Sequence, residues 1–515
     1  MAGDAEPTSL VDMALRRAGR DPSAPLLVTI DEAAANGVHV LTYGEVLGQA
    51  AVLAGVLGAA GVAPGDRVGC YLSNSPSWVV ASLAIWMNGA AVAAAGTLLP
   101  PREAAGLFSM AGATVVVALA DAPALPEGFT VLPIDERGHL DGGAPATSGV
   151  TPSLEGVRLP DADEVAVAIF TSGTTGQPKG ITHTHGDIVA GARRTAAAYA
   201  RTSDYRPDSA PDDRPPGAHF NPFGHMSGFS RLAFRMWIGR SLALVPRFSV
   251  AAAKALLTRY PLDTLQLTPT MIHMLATTDE DLDLGAVKYV TSGTAPLSIV
   301  TRERFEARYD VPVMQAYGMT EVGAVAQERF DDVVAGRRGP GSVGRLAAGV
   351  EIKIRSLDDD RPPGEGEILV RTDEASDEFI GGAPVPVDGD GWFATGDVGR
   401  LDDGILYITG RAQEKIIVGG FNVYPAEVED ALRRSPLVLD AVVVGVPDER
   451  LGERPVAGVV WAGDPEPETV ASGLRDELAA YKVPRAFFLL DAVPLTPRDK
   501  VDRRRALELA VESVG

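Results

Sequence analysis

The sequence predicts an α/β protein, with a large N-terminal domain of several α/β subdomains and a small α+β domain at the C-terminus. Three observations predict it. At 515 residues the chain exceeds one hydrophobic core, since domains run to about 150 residues each. Short uncharged runs rich in β-branched residues, such as Thr114–Leu119 and Val165–Phe170, alternate with helical patterns, as strands do when helices cover both faces of a sheet. Past residue 340 the texture shifts to short strands joined by Gly/Asp/Pro turns, the mark of antiparallel pairing.

Taken in order, Leu41–Ala60 has helical spacing and stops at Gly61, and Asp66–Leu72 reads as a strand. Val68–Pro101 carries no charge, yet Ser73, Asn74, Ser75, Pro76, Ser77 and Asn88 punctuate it. It divides into a buried helix over Ser77–Asn88 and a short strand over Ala90–Ala95, too interrupted for a membrane span. Asp121–Pro160 is expected to wrap the surface. Arg201–Gly217, full of prolines and charges, reads as a mobile loop. Further on, Gly344–Val370 and Gly404–Thr409 predict antiparallel strands. Pro425–Arg434 predicts a helix opened by proline and acids, followed by a strand at Leu437–Gly445, a helix at Pro467–Tyr481 and a strand at Ala486–Asp491.

Composition narrows the function. Apolar residues make up 46% and charged residues 22%, an ordinary globular balance. The formal net charge is −22, which repels nucleic-acid phosphate and anionic lipid. No nucleic acid and no membrane are expected as partners. The lone cysteine, Cys70, excludes an intrachain disulfide and a multi-cysteine metal site and fits a reducing, cytoplasmic location. Met1–Leu10 carries Asp4 and Glu6 and lacks the pattern of a signal peptide.

The strongest chemical signal is the run Thr171-Ser172-Gly173-Thr174-Thr175-Gly176-Gln177-Pro178-Lys179-Gly180, directly after the apolar strand Val165–Phe170. Its glycines let backbone N–H groups turn inward, its hydroxyls add donors, and Lys179 adds a point charge. Such a loop suits a polyphosphate. It is not the Walker pattern, whose spacing it fails.

This stretch resembles the signature of the adenylate-forming (ANL) superfamily, which includes acyl-CoA synthetases, firefly luciferase and peptide-synthetase adenylation domains. Further segments match in family order from Leu41-Thr42-Tyr43 to Lys500. The resemblance implies an AMP-forming acid–thiol ligase of the acyl- or aryl-CoA synthetase branch. Such an enzyme joins ATP to a carboxylic acid as an acyl-adenylate and then passes the acyl group to CoA. It implies an N-terminal domain over 1–411 and a mobile C-terminal domain over 412–515. ATP, Mg²⁺ and CoA (or a carrier protein's phosphopantetheine) are the implied cofactors, and a homodimer is a family habit.

The resemblance also implies a site, residue by residue. Thr171, Ser172, Gly173, Thr174, Thr175, Gly176 and Lys179 would hold phosphates. Gly293, Thr294 and Ala295 would flank the adenine, and Tyr317, Gly318, Met319 and Thr320 would surround the nucleotide. Glu321 is a hard oxygen ligand for Mg²⁺, which takes one or two carboxylates plus phosphates. Asp397 would accept from the ribose hydroxyls, much as an acid does in dinucleotide folds, with Arg411 as a second nucleotide contact. Lys500 matches the catalytic lysine; only seven lysines stand against 39 arginines, 46 in all, so its retention is notable. The other reading of Arg498–Arg505 is a solvated basic tail.

Phe220 and His225, with Gly318, would border the acid; a satisfied core histidine is the alternative for His225. His183 and His185 have no third metal ligand nearby in sequence. Gly419 and Gly420 would let a pantetheine arm pass close to the backbone. Gln413 occupies the hinge position, commonly Asp or Lys in the family, so the thiol-transfer half is less firmly implied than adenylation. Phe220-Asn221 lacks the Asp that would pair an α-amino group, which disfavours amino-acid substrates. The candidate pocket segments, Phe220–Phe229, Leu267–Met271, Ser292–Ala295 and Gln315–Gly318, offer no basic partner for a second carboxylate, so a monocarboxylate is expected. Alternatives are an enzyme that loads a carrier protein or hands the adenylate to a partner enzyme, a luciferase-like monooxygenase, and a non-catalytic nucleotide binder.

Overall fold

A computed structural model describes residues 6–30, 38–140, 157–172, 178–199, 215–339, 341–357, 364–372, 379–381, 385–496 and 500–514. The chain divides into two compact units: Met1–Gln266 with Asp281–Lys288 and Glu374–Val385, and Leu267–Glu280 with Tyr289–Asp373 and Pro386–Gly515.

In the first unit a six-stranded sheet runs in the order Thr130–Ile134, Val115–Leu119, Arg67–Tyr71, Ala91–Ala94, Val165–Ser172, Pro178–Thr184. All neighbours are parallel except the last pair. The period of two divides each strand between two cores. Val115, Val117 and Leu119 join Trp78, Trp86 and Leu53 on one face, while Val116 and Ala118 join Phe108 and Leu107 on the other. The uncharged run resolves as the helix Pro76–Met87, buried at every position, and the strand Ala91–Ala94. An all-apolar helix belongs inside, and Trp86 Nε1 fastens it to Ala166 O at 2.7 Å. The helix Tyr43–Ala59 opens on a capping box between Thr42 and Glu45. A second, four-stranded sheet orders Val38–Thr42, Pro25–Ile30, Leu242–Leu244, Gly217–His219.

In the second unit, Tyr289–Ser292 pairs in parallel with Val313–Met319. From there Gly323–Gln327, Ser342–Leu346, Ile405–Arg411, Phe393–Asp402, Glu365–Arg371 and Glu351–Arg355 continue as antiparallel neighbours. The C-terminal residues form their own sheet, Phe421–Val423, Ile416–Val418, Gly452–Trp461, Val438–Asp448, with Ala486–Leu489 parallel to Gly452–Trp461. Helices Pro425–Arg434 and Pro467–Glu477 cover one face, meeting Ala441 and Val443. The helix Arg503–Val514 covers the other, meeting Val442, Val444 and Val446.

The structure departs from the sequence expectations at several elements. Asp121–Pro160 does not only wrap the surface, because Thr130–Ile134 adds an edge strand parallel to Val115–Leu119. Gly452–Trp461 and Arg503–Val514 had no counterpart in the sequence reading. The helix after Pro467 ends at Glu477 instead of Tyr481. The expected mobile loop lies, apart from residues 215–217, outside the described residues. Among the described residues no helix is long and apolar enough to cross a membrane.

Candidate active site

The second unit builds its site on two strand pairs. Tyr317, Gly318 and Met319 end the strand Val313–Met319, which turns through Thr320 and Glu321 into Gly323–Gln327. A bulge falls between Tyr317 and Gly318, re-aiming the side chains there. Gly318 is obligatory, since a Cβ would stand 2.5 Å from Gly323 O. Asp397 and Arg411 face each other across Phe393–Asp402 and Ile405–Arg411. Arg411 Nε donates to Asp397 Oδ1 at 2.9 Å, and Tyr317 Oη donates to Asp397 Oδ2 at 2.7 Å. Asp397 is thereby fixed by two donors from separate segments. Burial first, and the Asp397 charge second, hold the Tyr317 phenol well above its ordinary pKa, so it stays a donor at neutral pH. Behind Asp397, its backbone N–H donates to Thr395 Oγ1 at 3.0 Å, whose hydroxyl donates to Ile368 O at 2.8 Å.

Ser292 ends the strand Tyr289–Ser292, which lies parallel to Val313–Met319, and pairs there with Gln315. Its hydroxyl is buried with no hydrogen-bond partner. The turn that follows holds Gly293, Thr294 and Ala295, and Thr294 has φ +72°, a genuine outlier for a β-branched residue. Glu321 is half-buried and has no ion-pair partner among the described residues. A single available carboxylate suits Mg²⁺ carried mainly by phosphate oxygens. Among the described residues no group of three or more His, Cys, Asp or Glu forms a metal cage.

Lys500 lies on a tight turn closed by Thr496 N–H on Lys500 O at 2.7 Å and by the bridge between Leu495 and Val501. Arg503, three residues on, is no solvated tail. Its Nε donates to Glu414 Oε2 at 2.9 Å, and its Nη1 to Glu429 Oε1 at 2.5 Å and Val443 O at 3.1 Å. Glu414 follows Gln413, which is exposed in the turn after Arg411. Gly419 and Gly420, at φ +59° and +92°, form the exposed turn between Ile416–Val418 and Phe421–Val423.

In the first unit Thr171 stands opposite Lys179, and Ser172 opposite Pro178, across the pair Val165–Ser172 and Pro178–Thr184. Gly173, Thr174, Thr175 and Gly176 lie outside the described residues. Lys179 Nζ sits 4.7 Å from the centroid of Phe379, a cation–π contact that no sequence spacing announces. His225 holds the N-cap position of the helix Met226–Trp237 and is half-buried, its side chain making no capping hydrogen bond, and Phe220 is buried edge-on to Phe248, centroids 5.1 Å apart. His185 packs against Trp86 at 5.4 Å, a core position. Sequence reasoning also missed Arg235 and His219, both buried in this unit; an arginine among Leu232, Ala233, Phe234 and Met236 was the available signal.

The sequence matches the AMP-binding enzyme family over residues 15–376 and the AMP-binding enzyme C-terminal domain over residues 427–500. The chain belongs to the AMP-binding enzymes. This AMP-binding enzyme is 32% identical over 489 residues to a 3-[(3aS,4S,7aS)-7a-methyl-1,5-dioxo-octahydro-1H-inden-4-yl]propanoyl:CoA ligase of Mycobacterium tuberculosis, covering 88% of this chain and 91% of the relative. To a sulfoacetate–CoA ligase of Cupriavidus necator it is 30% identical over 508 residues, 96% of both chains. Its fold is similar to that of o-succinylbenzoate CoA synthetase of Bacillus subtilis in complex with its acyl-adenylate intermediate. That likeness has TM-score 0.77 and 26% identity, covering 96% of this chain and 97% of that one. The AMP-binding enzyme is therefore a member of the AMP-forming acid–CoA ligases, with their large AMP-binding domain and small C-terminal domain.

Proposed function

We propose that the enzyme couples ATP to a carboxylic acid and then to CoA, with the residues above in specific roles. A carboxylate oxygen attacks the α-phosphorus, the bond to pyrophosphate breaks, and an acyl-adenylate forms. The CoA thiolate then attacks the acyl carbon, the bond to AMP breaks, and a thioester is released. Asp397 accepts from the ribose hydroxyls, positioned by Tyr317 and Arg411. The Gly293–Ala295 turn flanks the base. Thr171, Ser172 and Lys179, with the Gly173–Gly176 loop, hold the phosphates, and Thr320 and Glu321 stand where a phosphate-bound metal would be held. Mg²⁺, when bound with ATP, would neutralise phosphate charge, and Glu321 would be its protein ligand. Lys500 follows the negative charge from carboxylate to α-phosphate as a compact donor. His225 and Phe220 border the acid. Gly419 and Gly420 pass the pantetheine, and residues 412–515 turn about Gln413 between the half-reactions.

The observation that carries this reading is the meeting of Tyr317 and Arg411 on one carboxylate, Asp397. An acid panel in a pyrophosphate-exchange assay, followed by mass spectrometry with and without CoA, tests it. Acid-dependent exchange with a CoA-dependent thioester supports it; exchange without a thioester moves the acceptor to a carrier protein or partner enzyme, as the neutral Gln413 allows. No exchange with any acid defeats it.

A further inference from the structure

The acid-binding side of the first unit contains a charge that its described neighbours do not balance. Arg235 is fully buried on the helix Met226–Trp237, and none of its three guanidinium nitrogens has a hydrogen-bond partner. His219, 1% exposed, has neither ring nitrogen partnered. The two belong to one face. Gly217 and His219 point the same way from the strand Gly217–His219, and a Cβ on Gly217 would stand 2.1 Å from Arg235 Cζ. The guanidinium therefore lies on the Gly217 backbone, beside the His219 ring, with Phe234 at 5.2 Å.

The surrounding charges deepen the imbalance. Among the described residues, the Arg231 and Arg240 charges reach Arg235, and Asp263 is a carboxylate that opposes them. Asp263 is already engaged by Arg240 Nη1 at 3.0 Å and by Tyr199 Oη. Burial, with the Arg231 and Arg235 charges behind it, pushes His219 down to about 3, so its ring is neutral and offers one N–H. An unpaired guanidinium is strongly disfavoured in a buried site. Water can fill hydrogen bonds but leaves the charge uncompensated.

We propose that Arg235 and His219 form the receptor for a second anionic group, a carboxylate or sulfonate, at the far end of the acid substrate. The inference rests on the reading that places the reacting carboxylate beside His225. His225 holds the N-cap position of the same helix ten residues before Arg235, about 15 Å along its axis. Side chains lean toward the helix N-terminus, which turns the guanidinium back toward that cap. The second group thus lies several carbons from the first, excluding the shortest diacids. This proposal departs from the monocarboxylate expectation, whose first pocket segment, Phe220–Phe229, stops short of Arg235.

The test compares octanoate, 8-hydroxyoctanoate, 8-sulfooctanoate and the diacids from glutarate to sebacate in pyrophosphate exchange. Wild type should favour a diacid or sulfo acid over octanoate by at least about 10-fold in kcat/KM, and Arg235→Met should lower that ratio by about 100-fold. The better arm identifies the anion. A ratio below one in wild type, or a ratio unmoved in Arg235→Met, overturns the inference. So does equal loss with every acid, which would assign the counter-charge to the protein's own carboxylates. If Arg235→Met fails to fold, thermal shift of the wild type without ATP decides: the diacid should raise Tm and octanoate should not, and equal shifts overturn it. Exchange with monoacids alone defeats this inference but not adenylation; no exchange with any acid defeats adenylation and leaves thermal shift to decide the receptor.

Discussion

Asp397 faces Arg411 directly across an antiparallel strand pair and takes its Nε hydrogen bond at 2.9 Å, while Tyr317, 80 residues earlier, closes on the other carboxylate oxygen. Three segments thereby orient one acceptor before any ligand arrives, which is the preorganisation a binding site requires.

Replacing that carboxylate is the direct check on its role. Asp397→Asn keeps the shape but turns an NH₂ toward a donor and removes the charge. Charge-assisted hydrogen bonds contribute about 1.5–3 kcal/mol, so the KM for ATP should rise about 10- to 100-fold, with a smaller effect on the KM for the acid. Tyr317→Phe should raise it less and cost about 1 kcal/mol of stability. Steady-state exchange kinetics with ATP varied would count against the assignment if only kcat moved.

Thr294 offers a second check, from strain. A β-branched residue at φ +72° costs about 1–2 kcal/mol, and such outliers persist where function holds them. Thr294→Gly relieves the strain but adds about 0.5–1 kcal/mol of unfolded-state entropy. The variant should be stabilised by up to about 1 kcal/mol while its KM for ATP rises severalfold. A urea titration beside ATP kinetics checks both; unchanged KM would make the strain incidental.

Much of this was legible in the sequence because it is local. The helical spacing over Leu41–Ala60, the Pro425–Arg434 helix and the contiguous motifs at Thr171, Tyr317 and Asp397 are each written locally along the chain. What was illegible depends on partners distant in sequence. Arg503 reads as a tail residue until Glu429, 74 residues away, is seen buried beneath it. Phe379 meets Lys179 from 200 positions on. Thr130–Ile134 is mostly exposed, so its edge position leaves little hydrophobic pattern to find. Arg235 carries no spacing that says whether its helix turns it inward.

Lys500 and Arg503 separate chemistry from scaffolding on one short segment. Lys500→Ala should lower adenylation by at least about 100-fold, the size of losing one transition-state donor, while thioester formation from supplied acyl-adenylate suffers much less. Arg503→Ala strands the buried Glu429 and releases Glu414 beside Gln413. It should cost about 3 kcal/mol or more of stability and impair both half-reactions together. Single-turnover assays of each half-reaction distinguish the two patterns, and equal loss of both steps in Lys500→Ala would remove its assignment.

Acid sensitivity follows from histidines folded in neutral form. Burial pushes His185 down to about 4 and His219 to about 3, from 6.5. Below pH 6.5 the unfolded chain binds protons that the folded chain refuses, so stability rises with pH across that window. Their contribution is complete above 6.5 and is lost as pH falls, about 2 kcal/mol for each histidine between pH 6.5 and 5. Glu328 and Asp430, whose carboxyls burial pushes upward, work in the opposite sense, since acid neutralises them in the folded state. The histidine part is isolated by His185→Phe, which keeps an aromatic ring against Trp86 and removes the titration. Urea midpoints from pH 7 to pH 5 should fall more steeply for the wild type than for this variant. Parallel curves would mean that His185 is already protonated in the folded protein or titrates alike in both states.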